Sequence, residues 1–273
     1  MTTPAPTELT LRAEPFDAIA ESYDDHFTRS LIGKAQRQAV WEEMDCHFRP
    51  GQRILEINCG TGVDAEHLAS RGVRVVACDS SPGMIAVARR NMAAWSHLID
   101  LHVLPTERIG QLAGEPPFDG VLSNFAGLNC VEDLASVARD LARLVRRGGK
   151  AVLCVFGRRC LWEILWFIIQ ARTKRAFRRV SDQGVTASLA PGHSVVVRYP
   201  SLRFLRQQFA PHFRLRNWKG VGIAVPPSYL EHLALRHSRL LRGAERLDRL
   251  LGRYYGFRAL ADHVVLVLER SET

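Results

Sequence analysis

From residue 53 to residue 156 short apolar runs alternate with amphipathic segments, and this alternation limits the possible folds more than any other feature. RILEI (53–57), VRVVAC (73–78), LHVL (101–104), FDGVLS (118–123) and KAVLCVF (150–156) each have the length and apolar content of a buried strand. Helical patterns fill the gaps. One covers 64–70 and ends at Gly72. A second opens at Ser81-Pro82, a capping serine before a first-turn proline, and runs to about residue 95. A third covers 134–145 and stops at Gly148-Gly149. Strand and helix in strict alternation imply a parallel sheet covered on both faces. Upstream, Ile19, Tyr23, Phe27 and Leu31 recur near every fourth residue within 16–48, and a second helix is expected over 35–47, before Pro50-Gly51.

After Phe156 the rhythm changes. Residues 157–212 read as an insertion with an aromatic helix, a short alternating strand (HSVVVRY) and another helix. Residues 213–225 are strand-like, 226–262 form a second helical insertion, and HVVLVLE (263–269) is a final strand. Two late strands joined by a long excursion suggest an antiparallel edge on an otherwise parallel sheet. The expected plan is a flexible arm over 1–15 and a single domain over 16–273 that carries the two insertions.

Composition sets limits on partners. With 47% hydrophobic residues, the 273-residue chain can bury a substantial core. No apolar run approaches the ~20 residues that span a bilayer, and the N-terminus lacks a basic start followed by an apolar block. The six cysteines include no C-x-x-C pair, which fits free thiols in a reducing compartment, so the chain is expected in the cytoplasm. No His or Cys cluster has ligand spacing, so no metal is expected. The net charge of +9 permits an acidic partner without showing one.

The turn after the first strand can be read two ways. Gly60-Thr61-Gly62-Val63-Asp64-Ala65 fits the G-x-G-x-x-A pattern of dinucleotide sites, with Asp79 where a ribose-binding acid would stand. An NAD(P)-binding oxidoreductase is the function that this reading implies. Glu56 argues against it. A carboxylate at the end of the first strand would repel a pyrophosphate but attract an ammonium. Glu56 and Asp79 together describe a ligand that is cationic at one end and carries vicinal hydroxyls further along. S-adenosylmethionine meets that description.

LEINCGTG followed by VVACDSSPGM resembles motifs I and II of class I S-adenosylmethionine-dependent methyltransferases of the small-molecule, UbiE-like (methyltransferase type 11) group. FDGVLSNF and LARLVRRGGKAVLCVF resemble the same family's fourth strand and its helix–Gly-Gly–fifth strand. The resemblance covers about residues 16–156 and, more weakly, the closing strands. It implies a Rossmann-like α/β fold: a seven-stranded, mostly parallel sheet with an antiparallel C-terminal strand and a helical lid.

It also implies cofactor contacts from Glu56, the turn residues Asn58, Cys59, Gly60, Thr61 and Gly62, and from Asp79 and Ser80. Met84 stands where the family has an apolar contact to adenine, with helix packing as the alternative. Tyr23 resembles the N-terminal aromatic that closes over the cofactor, or serves helix amphipathicity. Asn124 and Phe125 end the fourth strand beside the transferring methyl, unless they form an ordinary strand-to-helix turn.

Two departures stand out. Asn58 replaces a glycine, tolerable because asparagine accepts a left-handed backbone, and it would set an amide beside the ligand. Pro105-Thr106-Glu107 replaces the usual Asp-Ala, which moves adenine recognition to Thr106 and Glu107. SNFAGLN lacks the [DN]-P-P-[FY] clasp of base methyltransferases, so no nucleic-acid partner is expected.

Methyl transfer from a sulfonium requires a base only when the acceptor must lose a proton. His193, Tyr199, His232, His237 and His263 lie in or beside the insertions, and none is assigned as catalytic. The most unusual stretch is RRCLWEILWFIIQARTKRAFRR (158–179), where an apolar and aromatic face is flanked by seven Arg or Lys against one acid, Glu163. It is expected to be a lid over an apolar acceptor. A helix resting on the inner membrane surface and a dimer face are the alternatives. The expected function is methyl transfer to a small, lipophilic or aromatic acceptor. The non-catalytic alternative is a membrane- or partner-binding protein on a methyltransferase scaffold.

Overall fold

A computed structural model describes residues 15–272. Apart from Pro15, the arm expected over 1–15 lies outside the described residues. The main sheet has the order β3-β2-β1-β4-β5-β9-β8, built from β1 (Arg53–Ile57), β2 (Arg74–Asp79), β3 (Ile99–Val103), β4 (Phe118–Ser123), β5 (Val145–Phe156), β8 (Phe213–Val221) and β9 (His263–Arg270). A separate hairpin pairs β6 (Val185–Ala190) with β7 (His193–Val197). Among the described residues the α-helices of eight residues or more are α1 (Leu31–His47), α2 (Val63–Ser70), α3 (Pro82–Asn91), α4 (Leu134–Leu144), α5 (Leu161–Ile169), α6 (Leu202–Phe209) and α7 (Ser238–Leu251).

The five early strands pair in parallel, as alternation with helices requires. The late strands form the expected antiparallel edge pair with an antiparallel C-terminal strand, and the structure adds their order. β9 runs antiparallel to both β5 and β8, so the reversed strand is interior and β8 forms the edge. β9 is almost wholly apolar and buried from His263 to Leu268 but for half-buried Val264, whereas β8 alternates charged and apolar residues, a pattern suited to an edge. β6 was not expected. VTASLA has few strand-forming residues, and its alternation is carried by small side chains.

The period-two alternation of β1 sorts its side chains onto two faces. Leu55 and Ile57 join a core with Val121, Leu153 and Leu266, covered by Leu134, Val137 and Leu141 of α4 and Leu205 and Phe209 of α6. Ile54 joins the opposite core with Val75, Leu122 and Val152, covered by Val40 and Met44 of α1 and Ala65 and Leu68 of α2. Glu56 is in phase with Ile54, so its carboxyl is directed to the α1–α2 face. The site depends on this placement.

Local signals fix the helix starts that border the site. Ser30 caps α1 by accepting from the Gly33 amide (2.9 Å), and Ser81 caps α3 by accepting from the Met84 amide (3.0 Å). Asp17 ties the N-terminal segment to α3, accepting from Ser81 Oγ (2.5 Å) and the Gly83 amide (2.7 Å).

Candidate functional site

The C-terminal ends of β1, β2 and β4 open onto a cavity of about 450 Å³. This is where a parallel sheet of this order leaves a crevice. Of the residues expected from the sequence, Tyr23, Asn58, Cys59, Gly60, Thr61, Asp79, Ser80, Met84, Thr106, Glu107, Asn124 and Phe125 all line it. Gly60 has φ +55° and only open space where a Cβ would stand, so the bare backbone leaves room for a ligand. Both Asp79 oxygens hold backbone amides, of Gly60 (2.8 Å) and Ser81 (2.9 Å), which aims the carboxylate into the turn with lone pairs to spare. Thr61 Oγ1 donates to Asp24 Oδ1 (2.7 Å) and so clips the N-terminal segment, with Tyr23 and Phe27, against the mouth. Burial pushes the Tyr23 phenol up to about 12 and the Cys59 thiol well above its usual range, so both stay protonated.

Two expected residues do not line the cavity. Gly62 has φ +83°, and a Cβ there would stand 3.2 Å from Ala88 and Met92, so this glycine permits α2 to approach α3. Glu56 is 1% exposed. Strand alternation turns its carboxyl toward Arg37 of α1 and Asp64 of α2, which do reach the cavity wall. Its Oε2 is buried and, among the described residues, has no hydrogen-bond partner. Burial raises its pKa well above the carboxylate range; the neighbouring Asp64 adds to this and Arg37 opposes it.

Asn58 adopts φ +58°, as a substitute for glycine must. Its amide is already engaged, donating to Thr106 Oγ1 (2.8 Å) and accepting from Ser123 Oγ (3.2 Å). It therefore ties the end of β1 to β4 and to the loop after β3, and keeps its second N–H at the cavity wall.

Arg37 and Asp64 were not singled out as ligand contacts in the sequence. Arg37 Nη1 donates to Asp64 Oδ2 (2.6 Å), which also accepts from Asn124 Nδ2 (3.0 Å), while Trp41 Nε1 reaches Asp64 Oδ1 (2.6 Å). The Arg37 guanidinium lies 4.6 Å from the centre of the Phe125 ring. The available signal was Arg37 on the apolar face of α1, one turn before Trp41. Phe125 and Ala126 take φ +47° and +67°, strained values for non-glycine residues at the end of β4.

The far half of the cavity is walled by the late insertions. Val185, Ala187 and Leu189 of β6 and Val195 and Val197 of β7 turn one face of the hairpin inward, opposite Phe156, Tyr199, Tyr229 and His263. Of the candidate bases, only Tyr199 and His263 border the cavity; His232 and His237 are exposed, and His193 sits half-buried in β7.

The basic stripe divides into two parts. Glu163, its one acid, is 1% exposed and binds Arg178 Nε (2.6 Å) and Arg179 Nε (2.9 Å), and both arginines border the cavity. Arg172, Lys174 and Arg175 are exposed, beside Leu165, Ile168 and Ile169. Among the described residues no cluster could hold a metal ion, and no helix is long and apolar enough to cross a membrane.

Residues 54–149 match the family described as "Methyltransferase domain". The demethylmenaquinone methyltransferase of Symbiobacterium thermophilum is 32% identical over 190 residues, covering 58% of this chain and 70% of that protein. The Thermobifida fusca protein of the same name is 32% identical over 146 residues, 53% of this chain and 60% of its own length. The chain thus spans about three fifths of several curated relatives it matches. Among solved structures, the [4+2]-cyclase SpnF superposes with a TM-score of 0.64 at 14% identity over 99% of both chains, a likeness of fold alone. The sheet order, the glycine turn answered by Asp79 and the long relative agree, and the dinucleotide reading falls away: this chain belongs to the class I S-adenosylmethionine-dependent methyltransferases.

Proposed function

We propose that the protein transfers a methyl group from S-adenosylmethionine to a small, lipophilic, aromatic acceptor. The reading rests on one observation, a continuous cavity whose near half is lined by the glycine turn and polar strand ends and whose far half is mostly apolar and aromatic, with Arg178, Arg179, Asp262 and His263 set in its wall. The near half fits the cofactor on two counts: open space at Gly60, and Arg37 and Asp64 on its wall, behind which Glu56 Oε2 has no hydrogen-bond partner among the described residues. Neutral Glu56 is poorly solvated as it stands, and a nearby ammonium would stabilise its ionised form.

In this reading Asp79 accepts the ribose hydroxyls and Ser80 borders the same end, while Met84 packs against the adenine. Thr106 and Glu107 border the adenine edge. Glu56 and Asp64 offset the ammonium, and Arg37 takes the carboxylate of the amino-acid tail. Asn58, Cys59, Gly60, Thr61 and Gly62 shape the turn, Tyr23 closes the mouth, and Asn124 and Phe125 border the reacting methyl. The cofactor supplies an activated carbon; the protein's part is to hold an acceptor in line with it and to keep water out. Residues 157–212 and 226–262 act as the acceptor's cover. The fold also carries a cyclase, so the site and not the architecture supports the activity. Mass spectrometry of cell extracts incubated with the deuterated-methyl cofactor tests it. A labelled lipophilic product supports the reading, and label confined to polar products opposes the assigned acceptor.

A second reading, compatible with the first, is that the cover rests on an anionic membrane surface, such as the inner face of the cytoplasmic membrane. Leu165, Ile168 and Ile169 (81% exposed) project beside Arg172, Lys174 and Arg175. The helix α7 repeats the chemistry with exposed Leu240, Leu247 and Leu250 among Arg239, Arg242 and Arg246. An acceptor dissolved in lipid would then reach the cavity from the membrane. Co-sedimentation with anionic but not neutral vesicles, weakened by salt, is the expected result.

A further inference from the structure

We propose that His263 is the general base that takes the proton from an aromatic hydroxyl as that oxygen receives the methyl group, with Asp262 positioning its ring. The proposal rests on the methyltransferase reading above and adds the chemical class of the acceptor, a phenol-type hydroxyl. His263 begins β9 and borders the far half of the cavity while only 3% exposed. Its ring stacks on Phe156 (centroids 4.7 Å apart) and meets Phe125 edge-on (5.5 Å). It therefore stands beside the end of β4, which the cofactor's methyl would face, and among the aromatics that would hold a flat acceptor.

The two ring nitrogens differ. Among the described residues Nδ1 is buried without a hydrogen-bond partner, and it lies 3.5 Å from Asp262 Oδ2. A small rotation gives Nδ1–H a carboxylate acceptor and leaves the Nε2 lone pair for a substrate proton, the tautomer that a base requires. Catalytic hydrogen bonds commonly tighten only when substrate is bound.

Asp262 is held on its other sides. Arg179 Nη2 donates to Oδ1 (2.8 Å) and Gln36 Nε2 to Oδ2 (3.2 Å). Arg179 is in turn braced by Glu163 and by the carbonyls of Gly157 and Asp262. Burial works against the Asp262 charge, yet His263, Arg179 and the hydrogen bonds from Arg179 and Gln36 outweigh it and hold the carboxyl below its ordinary pKa.

The charged and titratable groups around the imidazole are Asp262, Arg179 and the cavity-lining Tyr199, with Arg37 beyond Phe125. Burial lowers the His263 pKa, Arg179 adds to this, and Asp262 opposes it, so the ring is neutral at neutral pH.

An amine acceptor brings its own lone pair and gains little from such an arrangement. A hydroxyl must shed its proton to attack well, which is what a neutral imidazole backed by a fixed carboxylate provides. In the step, the O–H bond breaks toward Nε2 and the oxygen pair forms the new C–O bond. The C–S bond breaks with its electrons to sulfur, leaving a neutral thioether and an aryl methyl ether. The imidazolium, stabilised by Asp262, returns its proton to water.

The test uses the full chain and a series of para-substituted phenols of graded acidity, ending in p-nitrophenol, which is largely ionised at mildly alkaline pH. The wild type, H263Q and D262N are compared, with S-adenosylhomocysteine binding and thermal stability measured for each. For weakly acidic phenols, H263Q should lower kcat/KM by roughly 10²- to 10⁴-fold and abolish the acidic limb of the pH profile. For p-nitrophenol the loss should shrink to a few-fold. D262N should follow the same trend at smaller amplitude, and both variants should bind S-adenosylhomocysteine like the wild type. A purely packing role would lower every phenol equally, and that result overturns the proposal. So does a retained acidic limb in H263Q, methylation at ring carbon, or no transfer to any phenol by a wild type that binds S-adenosylhomocysteine. Absence of S-adenosylhomocysteine binding by the wild type instead overturns the underlying methyltransferase reading.

Discussion

Two buried titratable residues pull stability in opposite directions with pH. The raised pKa of Glu56 means that the folded chain keeps a proton which the unfolded chain releases above roughly pH 4.3. Stability is therefore lost as pH rises from that value through the folded pKa. E56Q removes the penalty, so the cofactor-free variant should gain stability over wild type, and by more at pH 7.5 than at pH 5 in urea unfolding. The same change should weaken S-adenosylhomocysteine by only about 2- to 5-fold, the order of a charge that acts through Arg37 and Asp64 and not by direct contact. For His263 the sign reverses. Its lowered pKa leaves its contribution intact above about pH 6.5 and lost as pH falls toward the folded value. NMR titration should show this ring neutral at pH 7 and resisting protonation below it.

At this scale the sequence was informative about the ligand end of each strand and less so about side-chain direction. Asp79 is where its spacing from Gly60 implies. Glu56 was expected to face the ligand because it stands four residues before that glycine. The pleat instead sends it to the α1–α2 face, to a charged pair with no sequence neighbour in common. Arg37 lies 27 residues from Asp64, and no local pattern links them.

Residues 158–179 show how one side chain can organise an element. The sequence shows seven cations flanking an apolar stripe over residues 158–179, but not that buried Glu163 draws two of them inward and fixes the segment after α5 against Asp262. E163A would remove one of the two carboxylates that hold buried Arg179, leaving Asp262, and should cost about 1 to 3 kcal/mol in urea unfolding. The outer face has a separate role. Replacing Ile168 and Ile169 together with Glu should abolish vesicle co-sedimentation while leaving S-adenosylhomocysteine affinity within about twofold, since neither lines the cavity. Element identity was clearest in the sequence where burial on both sides makes a strand largely apolar, as in β2, residues 151–156 of β5, and β9. It was least clear in β6, where Thr, Ala and Ser carry a half-exposed alternation that no propensity marks.

Across the whole molecule, the strand ends of the parallel half of the sheet line the near half of the cavity and the late insertions wall its far half; in the proposed reading these hold the cofactor and the acceptor. That division explains why the family match spans residues 54–149, while the residues bordering the far half of the cavity come largely from residues 156–263. Strand alternation was enough to anticipate the parallel strands. It could not order β8 and β9, because pairing across a long excursion depends on which strand is apolar enough to be interior.

The most direct test is a calorimetric titration of the intact chain with S-adenosylhomocysteine, repeated on D79A. One-to-one binding that the substitution weakens by at least tenfold is the expected result. An absence of heat, or an affinity indifferent to the loss of Asp79, would contradict the cofactor site on which the account is built.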